Sequence, residues 1–142
     1  MKILLAVDGS KSSLDAVKLV IDHAGWYRGR PEIELLNVHP ALPKLPRMSL
    51  AVSRKQVQRY YREEGEAALD GARKLLDAAA VAYRTTLLVG NPANAIVKHA
   101  KAGRFDLIVV GNAGRSGVGN LLIGSVASKV LHLSEIPVML VR

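Results

Sequence analysis

The chain contains no cysteine and no long apolar segment, and these absences limit both its chemistry and its location. Without cysteine there is neither a disulfide framework nor a thiolate metal site. No apolar run approaches the ~18 residues that a membrane-spanning helix requires. The apolar N-terminus reaches Asp8 too early for the hydrophobic region of a signal peptide. We therefore expect a cytoplasmic protein that is not inserted in a membrane.

Several signatures of nucleotide binding and hydrolysis are also missing. No G-x-x-x-x-G-K-[S/T] occurs, which excludes a Walker-type phosphate loop. No G-x-G-x-x-G follows the first predicted strand, which argues against a dinucleotide-binding domain. No serine stands in a G-x-S-x-G context, the usual setting of an α/β-hydrolase nucleophile. The histidines lie in separate segments without metal-ligand spacing: His23, His39, His99 and His132.

What the chain does have is enough apolar sequence for one globular domain. Its 142 residues are 49% hydrophobic, and we expect residues 1–142 to form a single domain. The net charge of +8 indicates either attraction to polyanions or an ordinary basic surface. The densest basic cluster, within residues 54–62, alternates with apolar residues at helical spacing. This pattern is typical of an amphipathic helix, so we do not expect nucleic acid to be the main partner.

Apolar strand-like runs alternate with helical patterns along the whole chain. The predicted strands are residues 2–7, 32–38, 81–89, 105–110 and 137–141. The predicted helices follow each of the first four strands, and the second of them is long, roughly residues 49–80. Such alternation predicts an α/β fold with a doubly wound, five-stranded parallel sheet and helices on both faces.

Three features are predicted to meet where the strands of this sheet end. They are Asp8 after the first strand, Val38-His39 after the second, and a glycine segment after the fourth. In doubly wound sheets, ligands bind beyond the carboxyl ends of the strands. Asp8 could accept hydrogen bonds from ribose hydroxyls, hold a metal through water, or cap its own turn. We predict no paired carboxylates at this edge and therefore no evident general base.

The glycine segment begins directly after the apolar run 107–110 and ends where a helix begins. It has the spacing G-x2-G-x9-G-S, formed by Gly111, Gly114 and Gly124-Ser125. Phosphates bind at such places because free N–H groups and the positive end of the helix dipole point outward. Glycine lets the backbone approach an oxygen closely. Ser125 suits the helix start as an N-cap or as a phosphate donor, and Arg115 could contact a phosphate or face solvent.

Over nearly its full length the chain resembles the ATP-binding branch of the universal stress protein family. The resemblance rests on Val7-Asp8-Gly9-Ser10, on the segments 36–39 and 90–96, and on the G-x2-G-x9-G-S motif. Two positions depart from the common pattern. Ala113 stands where many members carry histidine, and Ala127 where some carry serine or threonine; each removes a potential phosphate donor.

The resemblance implies a strand order of 3-2-1-4-5, dimerisation through the last strand at 137–141, and Mg²⁺ or Mn²⁺ on the nucleotide phosphates. It implies that Asp8 contacts ribose, that the Val38 backbone contacts adenine, and that the glycines admit the phosphates. The candidate nucleotide-binding residues are Ala6, Val7, Asp8, Val38, Val110, Gly111, Asn112, Gly114, Arg115, Gly124, Ser125 and Val126.

These observations lead to one favoured function and two alternatives. The favoured function is an ATP-binding, or other adenine-nucleotide-binding, regulatory protein of the stress response with slow or no hydrolysis. The first alternative is a protein- or nucleic-acid-interaction module with a vestigial nucleotide site. The second is a true ATPase. The nucleotide, the client partner and the inducing stress are open at this point.

Overall fold

The strands and helices alternate strictly along the chain. The computed structural model describes residues 1–43, 52–113 and 123–142. The strands are β1 (Lys2–Ala6), β2 (Glu32–His39), β3 (Tyr83–Val89), β4 (Leu107–Gly111) and β5 (Val138–Val141). The helices are α1 (Lys11–Asp22), α2 (Arg54–Ala78), α3 (Pro92–Ala102) and α4 (Ser125–Leu133). One turn of 3-10 helix, Ala24–Trp26, follows α1.

All five strands form one parallel sheet in the order β3-β2-β1-β4-β5. The expected fold class and strand order are confirmed. Ala6, at the end of β1, is in register with Leu36 on one side and Val110 on the other. The order of connection reverses at β1, since β2 and β3 lie on one side and β4 and β5 on the other. The carboxyl ends of β1, β2 and β4 therefore meet at the switch point, where a crevice forms in such sheets.

The core has two layers, one on each face of the sheet. Leu5 and Val109 belong to the layer covered by α1 and α2, whereas Leu4 and Ile108 belong to the layer beneath α3 and α4. All four side chains are fully buried. Consecutive residues of a central strand point to opposite faces, and both faces are covered. This explains why these strands are continuous apolar runs in the sequence.

Several boundaries differ from the prediction. Helix α2 begins at Arg54 rather than near residue 49, because Ser53 and Gln56 form a reciprocal capping box that defines its first turn. Residues 44–51 lie outside the described part of the chain. Strand β3 begins at Tyr83 rather than at residue 81, because Ala80 takes a positive φ of 53° in the turn after α2. Strand β1 ends at Ala6, which leaves Val7 and Asp8 beyond the regular strand.

Helix α2 lies close to the sheet at a glycine. A Cβ on Gly65 would lie 2.8 Å from the Leu87 side chain of β3, so the absence of a side chain allows this approach. Farther along α2, Leu69, Ala72 and Leu76 are fully buried against the sheet. Within the described ranges, no helix is both long and apolar enough to cross a bilayer.

Candidate functional site

A pocket of about 390 Å³ opens at the carboxyl ends of β1, β2 and β4. It lies at the switch in strand order, which is where ligands bind in doubly wound sheets. Helices from both faces of the sheet contribute to its walls. Most of the predicted site residues line it: Ala6, Val7, Asp8, Val38, Val110, Gly111, Gly124, Ser125 and Val126.

Asp8 lies at the base of this pocket, directly after β1. One carboxylate oxygen, Oδ1, accepts a hydrogen bond of 2.9 Å from the Ser10 backbone N–H. The intervening Gly9 has a φ of 81°, a conformation that favours glycine. The turn-capping role expected for Asp8 is therefore present. Within the described residues the other oxygen, Oδ2, has no hydrogen-bond partner, so one acceptor remains for a ligand.

Asn37 sets the position of the strand ends next to Asp8, and the sequence analysis gave it no role. Its buried side-chain amide donates to the Val7 carbonyl at 2.8 Å, and the Val7 N–H donates to the Leu36 carbonyl at 2.9 Å. These bonds tie the chain leaving β1 to β2. The signal was present in the sequence, because Asn37 interrupts an otherwise apolar run and a buried amide needs a partner.

The first turn of helix α4 lines the pocket, and within the described residues its first N–H groups have no acceptor. Ser10, Ser53 and Asn91 each cap their own helix with a side-chain oxygen. Helix α4 instead has Gly124 as its N-cap and, within the described residues, no side-chain capping bond. The first N–H groups of a helix have no intrahelical acceptor, so those at the start of α4 are available to an anion. Ser125 is the first helical residue and not the N-cap.

Gly111 has a packing role that the sequence did not reveal. A Cβ at this position would lie 2.5 Å from both the backbone carbon and the Oγ of Ser12 in α1. Two residues after Gly111, Ala113 donates its backbone N–H to Ser12 Oγ at 3.2 Å. The Ala113 carbonyl accepts a hydrogen bond from Ser10 Oγ at 3.4 Å. The glycine therefore allows the N-terminus of α1 to pack directly against the end of β4.

Among the described residues, one predicted site residue, Asn112, does not line this pocket. This residue is buried. Its role is to hold the backbone, because its N–H donates to the Val141 carbonyl and its carbonyl accepts from the Gly124 N–H, each at 2.6 Å. Gly114 and Arg115 lie outside the described residues.

The structure adds wall residues that the sequence analysis missed. Glu64 and Ala68 come from α2, and Pro92 and Ile96 come from α3. Glu64 is a second carboxylate in the wall of the pocket that Asp8 lines. The signal was weak in sequence, because Glu64 is one of several acidic residues on a long polar helix.

An aromatic cluster borders the pocket at the end of β2. His39 meets Tyr60 and Tyr61 of α2 edge-to-face, with ring centroids 5.5 and 5.3 Å away. The His39 Nδ1–H donates to the Pro40 carbonyl at 2.7 Å, and the Leu42 N–H donates to the Tyr61 hydroxyl at 2.8 Å. The cluster thus attaches the segment after β2 to α2, and it gives His39 a structural role beside the pocket.

The described residues contain no group of three histidine, aspartate or glutamate side chains placed to hold a metal ion. A divalent ion in this pocket would therefore need ligands from a bound molecule, such as phosphate oxygens and water. Asp8 could contribute through water with its free oxygen.

Comparison with known proteins places this architecture in a family. The family model described as "Universal stress protein family" matches residues 1–142. Universal stress protein MJ0531 of Methanocaldococcus jannaschii is 34% identical over 142 residues, with 99% of this chain and 81% of that protein covered. Universal stress protein YxiE of Bacillus subtilis is 31% identical, with 99% and 98% covered.

Solved structures agree with these sequence relatives. A universal stress protein solved in complex with cAMP is 26% identical, with a TM-score of 0.72 and coverage of 100% of this chain and 97% of that chain. The universal stress protein UspA from Lactobacillus plantarum, at 22% identity and a TM-score of 0.82, covers 100% and 97% and shares the fold. The chain belongs to the universal stress protein family.

Proposed function

We propose that the protein binds an adenine nucleotide in the pocket at the carboxyl edge of the sheet and acts as a regulatory protein of the stress response. The observation that carries this proposal is the pairing of two features in one pocket. Within the described residues, Asp8 has a carboxylate oxygen without a hydrogen-bond partner, and the N-terminus of α4 has no side-chain cap, so its backbone donors are available to the same pocket. A nucleotide has hydroxyl donors at its sugar and anionic oxygens at its phosphates, so it can use both features.

The proposed arrangement follows from the polarity of the walls. The sugar lies against Asp8, and the adenine lies near Val38 at the end of β2. The phosphates lie at Gly111, Gly124, Ser125 and Val126, where helix N–H groups and the dipole favour negative charge. Mg²⁺ or Mn²⁺ accompanies the phosphates. The cAMP complex of a relative with 26% identity supports an adenine nucleotide as the ligand.

Hydrolysis is proposed to be slow or absent. The described pocket contains no lysine or arginine side chain to stabilise charge on a transferred phosphoryl group. The two alanines at family positions that often carry donors, Ala113 and Ala127, contribute no side-chain hydrogen bond to a phosphate. The nucleotide then acts as a bound signal and not as a substrate, and the protein transmits its presence to a client in the cytoplasm.

Calorimetric titration of the purified chain with ATP and Mg²⁺ tests the binding proposal. We expect a micromolar dissociation constant, about −8 kcal/mol, and little phosphate release over the same period. Before the titration, the purified protein is denatured by heat and its supernatant is analysed for nucleotide by mass spectrometry. Nucleotide retained through purification would already occupy the site. The absence of heat and of competition at millimolar ATP would contradict the proposal. Rapid phosphate release that is lost in Asp8→Ala would instead favour a true ATPase.

We also propose a homodimer formed through β5. This strand is at one edge of the sheet, and in the described part of the chain no other strand pairs with its outer side. Its apolar residues Val138, Met139 and Leu140 are only half-buried. An exposed apolar edge strand is a liability that pairing with a second copy removes. Sedimentation analysis of the wild type is expected to give twice the chain mass. Leu140→Pro removes a backbone donor from the outer side of β5, since the alternate residues Pro137 and Val141 bond to β4, and we expect this variant to sediment closer to a monomer. A wild type that sediments as a monomer at micromolar concentration would refute this assembly.

A further inference from the structure

The pocket contains a second carboxylate whose charge is not neutralised by its neighbours. Glu64 of α2 is half-buried and lines the pocket together with Asp8 and Ala68. Within the described residues it makes no ion pair and no side-chain hydrogen bond. It belongs to α2, which packs on the face of the sheet opposite to α4.

Two other acidic residues on α2, Glu66 and Asp70, have partners of opposite charge. Glu66 pairs with Arg73, and that hydrogen bond holds the pKa of the Glu66 carboxyl below its usual range. Asp70 pairs with Lys74 at 2.8 Å. Glu64 differs from both because it faces a cavity instead of a cation. An unpaired, half-buried carboxylate gains most from a ligand that supplies hydrogen-bond donors.

The two carboxylates also make the charge distribution over the pocket wall uneven. Asp8 and Glu64 add negative charge to the pocket wall, and the helix dipole and the first N–H groups of α4 add positive potential from the opposite face of the sheet. No lysine or arginine side chain lines the described part of the pocket to offset the two carboxylates. Phosphate is therefore disfavoured beside the two carboxylates, while neutral hydroxyl donors are favoured there.

We propose that Asp8 and Glu64 together accept hydrogen bonds from the two sugar hydroxyls, so that this pocket selects ribonucleotides over deoxyribonucleotides. The inference rests on the proposed nucleotide site and adds Glu64 as a residue that determines sugar specificity. A vicinal diol offers two O–H donors, and each carboxylate has a free acceptor oxygen for one of them. Loss of one hydroxyl leaves the carboxylate oxygen that would contact it without a donor, and a site built for that hydroxyl binds such an analogue more weakly.

The test measures dissociation constants for ATP, 2′-deoxy-ATP and 3′-deoxy-ATP with three proteins: wild type, Glu64→Ala and Glu63→Ala. Glu63 is the matched control, because it is adjacent, exposed and absent from the described pocket wall. We expect wild type to bind ATP about tenfold more tightly than the deoxy analogue that lacks the sugar hydroxyl bound by Glu64. This ratio is equivalent to about 1.4 kcal/mol of binding free energy. Glu64→Ala should bind ATP about tenfold more weakly and lose that preference, and Glu63→Ala should match wild type.

Two outcomes would overturn the inference while leaving nucleotide binding intact. Wild type could bind all three nucleotides equally, or Glu64→Ala could weaken all three by the same factor. If wild type binds none of them, the proposed function fails and the inference fails with it. Alanine is a strong helix former, so α2 should persist, and circular dichroism checks this. Glu64→Gln, which keeps the side-chain volume, provides a second variant and should reduce the preference in the same direction.

Discussion

Replacing Gly111 with alanine is expected to lower the free energy of unfolding by about 3 kcal/mol, which corresponds to a fall in melting temperature of about 10 °C. The added Cβ would lie 2.5 Å from the backbone carbon of Ser12 and 2.7 Å from its carbonyl oxygen. Backbone atoms in the first turn of a helix cannot rotate away as a flexible side chain does. The N-terminus of α1 would therefore have to move away from β4.

This displacement also has a functional consequence. The first turn of α1 is connected to Asp8 by the bond from the Ser10 N–H, and Ser12 holds the Ala113 N–H. Gly111→Ala should therefore weaken nucleotide binding as well as stability. Gly25→Ala is the matched control, because a Cβ there meets no atom within 4 Å, and it should melt within about 2 °C of wild type. Equal melting temperatures for the two variants would show that the contact with Ser12 is not restrictive.

Replacing Asp8 with alanine is expected to weaken adenine-nucleotide binding by about 10- to 100-fold, since a hydrogen bond to a charged group contributes about 1.5–3 kcal/mol. The variant also loses the bond from the Ser10 N–H, and this should cost about 1 kcal/mol of stability. Both effects are measured on one preparation, binding by calorimetry and stability by urea denaturation. The loss of affinity should persist at temperatures where the variant is fully folded.

Asp8→Asn separates the two roles of this side chain. An asparagine keeps an Oδ1 acceptor for the Ser10 N–H but removes the negative charge that a ligand hydroxyl would meet. We expect near-wild-type stability with weakened binding. Asp22→Ala is the control for loss of an acidic residue, because Asp22 is exposed at the end of α1 and absent from the described pocket wall. Wild-type affinity in Asp8→Asn would mean that the Asp8 charge does not contact the ligand.

The centre of the sheet could be predicted because β1 and β4 are buried on both faces. The run Leu107-Ile108-Val109-Val110 has no polar residue, and only a central parallel strand places consecutive side chains in two cores. The site residues at strand ends, such as Asp8 and Val38, follow from the same rule, since parallel strands direct their carboxyl ends to one edge. Glycine spacing identified Gly124 at the start of a helix.

Residues contributed by helices could not be predicted in the same way. Whether Glu64 or Glu63 reaches the pocket depends on the rotation of α2 about its axis, and that rotation is set by Leu69, Ala72 and Leu76 packing on the sheet. The start of α2 was placed too early because apolar periodicity does not mark a boundary as well as the capping box at Ser53 does.

Local patterning by itself determined the fold class and the edge of the sheet where the candidate site lies, and the family resemblance supplied the strand order. Tertiary structure alone decided that Gly111 is needed for packing against Ser12, that Asn112 holds the backbone instead of lining the pocket, and that Glu64 joins Asp8. The physical reason is that periodicity and strand ends are properties of neighbouring residues. The approach of α1 and α2 to the sheet is determined by contacts between residues far apart in the chain, and those contacts form only when the core packs.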